Sequence, residues 1–385
     1  MSLINDFFLA KIKLCDVTLW YKLLQNKYGD IFETYIGSFR RIVLSRADYV
    51  EKLMSPSTKT NYVLRTEQMP EYDEINTTGK GITFNTDIPT WRFNRQFFSQ
   101  VVLTLSFSKE ALLSTPILFN ELNGYWKEIG DDVPIDFAIW IHKFTTEAIF
   151  QLVVGVKVSA MTKYFNDNVE LSKRKYIEPS HIDEEIKNFD QIIDTRLRNT
   201  IFLFTVPAFL RQTIFKKRND AMHENRNMTQ RIITKIIDHR RKEIEDHKEV
   251  KSNLLTLLIT ANTEHVDGEY SKPLTNDHIS QILIEAITGG IDTTANLLCF
   301  IVYHMAHYPN VLARLREELN NIFGSEQNRQ ITMEDLSKMH YTEAIIKECS
   351  RLINPSKMVQ RNSSTKDTMI DREWPANTAF IGSNS

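Results

Sequence analysis

Between Thr275 and Tyr308 the chain carries one apolar-rich run with helix signals at both ends. Thr275 is a natural N-cap, Asp277 suits the positive end of the helix dipole, and Pro309 cannot continue the run. At 1.5 Å per residue the predicted helix spans roughly 50 Å, enough to cross a whole domain. Glu285 and Asp292 oppose a bilayer span, since each would cost about 2–3 kcal/mol at a membrane centre. The run therefore predicts the central helix of a large soluble core. Turned by 100° per residue, Leu283, Ile287, Ile291, Leu298, Ile301 and Met305 share one face. His278, Gln281, Glu285, Asp292 and Asn296 share the opposite one. Between them runs a strip of small residues: Ala286, Gly289, Gly290 and Thr293. Two adjacent glycines cost about 1 kcal/mol each relative to alanine inside a helix, so a compensating reason is expected. Such a strip admits either a neighbouring helix or a bulky, flat group lying against the backbone. In the plainer of these readings Asp292 is merely solvated.

The rest of the chain must supply that core. Its 385 residues are 42% hydrophobic and 25% charged, which is globular and not disordered. Lys and Arg number 47 against 49 Asp and Glu, a net charge of −2 that gives no reason to expect nucleic acid as a partner. Cys15, Cys299 and Cys349 are far apart, fit no metal-ligand spacing, and suit a reducing compartment. The opening "MSLINDFFLAKIKLC" is cut by Asp6, Lys11 and Lys13, too short and too interrupted for a signal peptide or anchor.

The periodicity predicts a mainly α fold with a small β portion drawn from both chain ends, and a single domain over 1–385. "TLWYKLLQNKYGD" reads as a helix closed by Gly29, "IFETYIG" and "RRIVLS" as a hairpin, and "RADYVEKLM" as helix. From Pro89 onward nearly everything reads helical, including one long amphipathic segment, "MTQRIITKIIDHRRKEIEDHKEVKSNLLTLLI". After Pro355 short strand-like pieces return. "DDVPID" resembles the acidic motifs of all-α terpene synthases, but Pro134 makes it a loop.

Three constellations carry a more specific signal. Gly289-Gly290-Ile291-Asp292-Thr293-Thr294 resembles the oxygen-activation motif of the cytochrome P450 superfamily, the haem-thiolate monooxygenases. "YTEAIIKECSRLINP" places Glu348 and Arg351 as neighbours on one helix, with Glu348 on the face of Tyr341, Ala344, Ile345 and Leu352 and so directed into the core. It resembles the superfamily's Glu-x-x-Arg core pair. "TWRFNRQFF" after "GKGITFNTDIPT" resembles the helix whose Trp and Arg hold haem propionates, and Arg361 matches another propionate-binding arginine. The similarity runs in order from about Trp20 to Trp374.

The resemblance implies a P450-like α-helical fold and a haem-dependent monooxygenase acting on an apolar substrate. Electrons would come from NAD(P)H through a reductase of the NADPH-cytochrome type. Ala286, Gly289 and Gly290 would leave room for haem, Asp292 and Thr293 would deliver protons, and Trp91, Arg95 and Arg361 would hold the propionates. The family's iron ligand is a cysteine in a glycine-rich loop downstream of the Glu-x-x-Arg helix, and no such loop occurs in these 385 residues. Cys349 and Cys299 lie mid-helix and read as small apolar core residues. The expectation is a C-terminally incomplete chain that binds haem poorly and is inactive. The alternative is a non-catalytic α-helical binding or regulatory remnant, or a gene-model fragment. Family members are typically in the endoplasmic reticulum membrane; without an anchor this chain is expected to be cytoplasmic or peripheral. Residues 201–218, an apolar run followed by Arg211, Lys216, Lys217 and Arg218, offer either a membrane-surface contact or a buried helix-loop.

Overall fold

The computed structural model describes residues 17–36, 39–54, 70–75, 77–177, 186, 188–260, 274–324, 329–353, 358–362, 367–369, 372–374 and 378–383. Cys15 and the segment after Pro355 up to 357 lie outside them. The chain divides into two compact units, one of residues 1–79, 83–92 and 354–385, the other of 80–82 and 93–353.

The first unit joins both ends of the chain, as the strand-like text predicts. It holds helices α1 (Val17–Tyr28), α2 (Ala47–Met54) and α3 (Pro70–Glu74), and strands β1 (Ile31–Ile36), β2 (Phe39–Leu44), β3 (Met358–Asn362), β4 (Asp367–Met369), β5 (Arg372–Trp374) and β6 (Ala379–Ser383). One sheet has the order β1-β2-β6-β3, and β4 pairs separately with β5. β1 and β2 form the expected antiparallel pair, with Phe32 opposite Val43. β6 then lies parallel to β2, with Val43 opposite Ile381. Alternate side chains on a strand point to opposite faces, and both faces here are apolar. Phe32 and Val43 pack with Tyr21 and Leu24 of α1. Ile42, Leu44 and Phe380 pack with Leu53 of α2. Gly382 lets α2 approach, since a Cβ there would stand 3.1 Å from both methyls of Val50. Gly29 closes α1 at φ +86, its N–H bonded to the Gln25 carbonyl.

The second unit is helical. Its elements are α4 (Ile88–Val102, whose first residues belong to the first unit), α5 (Leu105–Ile129), α6 (Phe137–Val153), α7 (Ala160–Asp167), α8 (Phe189–Thr205), α9 (Ala208–Gln212), α10 (Lys216–Glu245), α11 (Leu254–Thr260), α12 (Asn276–His307), α13 (Pro309–Phe323), α14 (Met333–Lys338) and α15 (His340–Leu352). The segment read as one long helix from Met228 is two, α10 and α11. The break follows His247, a non-glycine residue at φ +54.

α12 begins where the sequence places it: the Thr275 hydroxyl accepts the His278 N–H. Its main neighbour is α6, and α10, α11, α13 and α15 also touch it. Its first half is buried, with Ile279, Ile282, Leu283 and Ile287 all but inaccessible. From Asp292 onward much of it is exposed. A second core lies around Leu122, Tyr125, Trp140, Phe144 and Phe165, with Ala295 of α12 buried in it. By length and composition α12 alone could cross a membrane, or α12 and the bent pair α4–α5, among the described residues.

Candidate functional site

The small-residue strip of α12 splits into two environments. Gly290 faces α6: a Cβ there would stand 2.9 Å from Ile149 Cδ1 and 3.3 Å from its Cγ1. Its missing side chain is explained by close packing of two helices. Gly289 is exposed, and a Cβ there would meet nothing within 4 Å. Ala286, one turn earlier, is half-buried, and Thr293, one turn later, is exposed. The open wall thus runs Ala286–Gly289–Thr293. The Thr293 hydroxyl donates to the Gly289 carbonyl at 2.6 Å, which leaves its oxygen free to accept. Such a back-bond to the i−4 carbonyl loosens a helix locally.

Asp292 lies beside this wall and is not merely solvated. Its Oδ1 is 3.4 Å from Nδ1 of His142 on α6, the two side chains being 54% and 35% exposed. They border a cleft of about 120 Å³ together with Lys143, Thr146 and Asp194. Asp190 on the cleft is buried and paired with Lys163 at 2.9 Å. His142 was not identifiable from the sequence: nothing in its local pattern marks it, and its relevance comes only from α6 packing on α12.

On the polar face one turn before Gly289, Glu285 is engaged by backbone. Its Oε2 accepts the Ile82 N–H at 2.6 Å and its Oε1 accepts the Gln281 amide at 3.1 Å. Gly81, at φ +71, has its Cα side against that carboxylate, so no side chain is tolerated there. Asn94 holds the same turn by donating to the Gly81 carbonyl at 2.8 Å.

The remaining sequence-predicted residues fall as follows. In the first unit Trp91 is half-buried, and its indole N–H has no hydrogen-bond partner among the described residues. Arg361 lies on β3 opposite Phe380 and donates to the Gln360 carbonyl at 2.8 Å. Arg95, in the second unit, is exposed.

Glu348 and Arg351 do pair, through two bonds of 2.7 Å. The expectation that Glu348 points into the core is corrected: the side chains are 55% and 67% exposed. α15 buries Ile345 and Cys349 instead. The face carrying Tyr341, Ala344, Glu348 and Leu352 borders an open groove of about 450 Å³, which also touches His304 and Met305 of α12. Arg351 holds the Glu348 carboxyl below its ordinary value by hydrogen bonding.

Neither described cysteine is set up as a metal ligand. Cys299 packs against the Trp140 core and Cys349 is buried, and burial pushes both thiols up. Neutral thiols in a helix interior behave as small apolar groups. Among the described residues no cluster of three His, Cys, Asp or Glu could hold a metal ion.

A family model described as Cytochrome P450 matches residues 16–383. Curated relatives include a probable cytochrome P450 312a1 of Drosophila melanogaster, 27% identical over 75% of this chain and 53% of the relative. Cytochrome P450 93B2 of Gerbera hybrida is 25% identical over 94% of this chain and 66% of its own. The chain thus spans about half to two thirds of the length of these relatives. Among solved structures, a retinoic acid-bound cyanobacterial P450 superposes with a TM-score of 0.70 at 18% identity, covering 96% of this chain and 73% of that one. A zebra fish cytochrome P450 with progesterone gives 0.71 at 17%, covering 95% and 78%.

Proposed function

The chain belongs to the cytochrome P450 family, and from that premise we propose that its second unit carries the oxygen side of a haem monooxygenase. The observation that carries the reading is the open wall at Gly289, flanked by an acid and an alcohol on the exposed side of α12. We also propose that residues 1–385 make one P450 domain, since the family match runs through both compact units.

Within the second unit, the open strip of α12 fits a porphyrin. Gly289 presents bare backbone where a flat ring could lie. The buried indole N–H of Trp91 lacks an acceptor that a propionate would supply. By resemblance alone, Arg95 of the second unit and Arg361 of the first are proposed as propionate-binding cations. When bound, haem supplies one-electron and dioxygen chemistry that no protein side chain provides. The chain's own part is to keep the wall clear and to move protons. Asp292 takes a proton from the solvent-connected cleft it shares with His142 and passes it toward the Thr293 hydroxyl, whose oxygen can accept.

The iron donor does not fit these residues. Cys299 is half-buried and Cys349 buried, both within helices with thiol pKa values raised by burial, whereas a haem ligand must be a thiolate. Neither described cysteine is therefore expected to hold haem iron as a thiolate. Reconstitution with haem, reduction and carbon monoxide tests this: no thiolate-type Soret band is expected, and its appearance overturns the claim. The same observation favours a second reading, a non-catalytic helical binding protein. A stable, monomeric, haem-free product in size-exclusion chromatography with light scattering would support that reading.

The whole protein would act on a mostly apolar substrate, drawing electrons from NAD(P)H through a reductase. Contact with a membrane surface belongs to the end of residues 201–218. Phe209, Ile214 and Phe215 are exposed beside Lys216 and Lys217. The start of that stretch is core, with Phe202 and Leu203 buried. Arg211 is not a surface cation: it is fully buried and donates to the Val206 carbonyl at 2.9 Å. Such a contact suits a peripheral or cytoplasmic chain. Co-flotation with anionic liposomes should recover the protein, and complete absence from the lipid fraction removes the contact.

A further inference from the structure

A cleft of about 500 Å³ opens on the second unit, and no residue of α12 lines it. α5 supplies Glu121, Gly124, Tyr125 and Glu128 to it. Lys157 and Ser159 come from the loop before α7, Thr162 from α7 itself, and Lys175 and Tyr176 from the chain that follows. One wall is kept clear at Gly124. A glycine inside a helix costs about 1 kcal/mol relative to alanine, and a Cβ at Gly124 would meet nothing within 4 Å. No neighbouring element accounts for the missing side chain, and the bare backbone borders the cleft. The rim that carries Lys175 and Tyr176 is fixed in place. The Lys175 N–H donates to Asn166 Oδ1 and the Asn166 amide donates to the Lys175 carbonyl, both at 2.8 Å, which seats this rim on α7.

The lining is polar and its charges cancel. Lys157 Nζ lies 3.2 and 3.3 Å from the two carboxylate oxygens of Glu121, and Lys175 Nζ lies 2.7 Å from Glu128 Oε1. Two matched pairs carry no surplus charge to draw a bare anion or cation, and burying them under an apolar molecule would be costly. What the pairs leave over is hydrogen-bonding capacity. Each ammonium has three protons to give, and Glu128 meets Lys175 through one oxygen only. Buried Tyr125 donates its hydroxyl to Glu121 Oε1 at 2.9 Å and lies 2.8 Å from the Thr162 hydroxyl. A phenol has one proton, so Thr162 donates in that second bond and keeps lone pairs that can accept. Ser159 precedes α7 without capping it through its side chain, so its hydroxyl is not spent on the helix. Donors and acceptors therefore stand side by side around the cleft, and at its mouth the Tyr176 ring is 80% exposed.

We propose that this cleft binds a neutral polyhydroxylated ligand, a pyranose sugar. A hydroxyl both donates and accepts, so neighbouring ring hydroxyls match the carboxylate–ammonium pairs Glu121–Lys157 and Glu128–Lys175. The C–H face of the ring lies on Tyr176, a rigid apolar surface with a polar tip. Gly124 leaves the room that the ring occupies.

Binding is tested without haem, so the result is decided separately from the carbon monoxide experiment. Maltose is titrated into the purified 385-residue chain at pH 7 and followed by saturation-transfer difference NMR. Transfer to the sugar ring protons is expected, and equimolar sodium phosphate or tetramethylammonium chloride should not reduce it. Gly124→Leu fills the cleft while favouring the helix, and should abolish the transfer. Tyr176→Ala should weaken binding about fivefold, the scale of one aromatic contact. Arg316→Gln, on an exposed position of α13, should leave it unchanged. Circular dichroism monitors folding, and if Gly124→Leu fails to fold, Tyr176→Ala, at an exposed position, decides. Absence of transfer from maltose, transfer that survives Gly124→Leu, full affinity in Tyr176→Ala, or displacement by phosphate or tetramethylammonium overturns the proposal.

Discussion

Gly289 and Gly290 are adjacent in the chain but answer to different physics. Gly290 is small because Ile149 stands against it; Gly289 is small with nothing against it. Replacing Gly289 with alanine should therefore stabilise the chain by up to about 1 kcal/mol through helix propensity alone. At Gly290 the same gain is opposed by overpacking against Ile149, which typically costs about 1–3 kcal/mol. Thermal melting of the two single variants is the measurement, with Gly289→Ala melting above Gly290→Ala. The reverse order would mean that α6 does not pack as closely as described. Stability sacrificed at Gly289 without a packing reason points to a site that must stay open. The sequence could show that the glycine pair was costly but not which of the two was covered, because that depends on a helix far away in the chain. The same holds for Glu348. Its helix face is apolar by spacing, but spacing does not say whether the face is covered, and here it borders an open groove.

Between residue and molecule, Glu147 shows how one side chain can bind two elements. It projects from α6, is 1% exposed, and accepts the Val158 N–H at 3.1 Å and the Ala160 N–H at 2.8 Å. It thereby fixes the chain entering α7, where Ser159 adopts a left-handed conformation at φ 55. Burial raises its pKa above 4.5, partly offset by those backbone bonds. The folded state thus holds the proton more tightly than the unfolded chain. Stability from this group is complete below about pH 4 and is lost as pH rises through the raised value. Glutamine has a single acceptor oxygen, so Glu147→Gln leaves one buried N–H short, at about 1–3 kcal/mol. The melting gap between wild type and Glu147→Gln should be widest near pH 4 and narrow toward pH 8. A gap that widens with pH would mean that the backbone bonds outweigh burial. At this scale the sequence was most informative where local chemistry sets an end, as with Thr275 before α12 and Gly29 after α1. It misread the segment from Met228 because the charged residues after Glu245 continue a helical rhythm while His247 turns the backbone out of it. Strand text revealed β1, β2 and a β-rich tail. The parallel pairing of β2 with β6 joins residues at opposite ends of the chain, and periodicity does not encode it.

For the whole molecule the decisive fact is apolar surface left open on the second unit. The apolar face of α12 is buried through Ile291, but Val302 and Tyr303 are 45% and 55% exposed. Ile346 and Leu352 on α15 are 42% and 50% exposed, and the groove beside them is lined by Met305, Tyr341 and Ile345. His304, on its wall, has both ring nitrogens buried without a partner among the described residues. Exposed apolar surface drives association in water. At tens of micromolar the 385-residue chain should therefore run as mixed oligomers in light scattering, and bind 8-anilinonaphthalene-1-sulfonate. Val302→Glu together with Leu352→Glu should raise the monomer fraction and lower dye fluorescence, because charge at those two positions interrupts the surface on both helices. A chain that stays monomeric and dye-free without these substitutions would show that the α12–α15 face is covered in solution, and would favour the self-contained, non-catalytic reading.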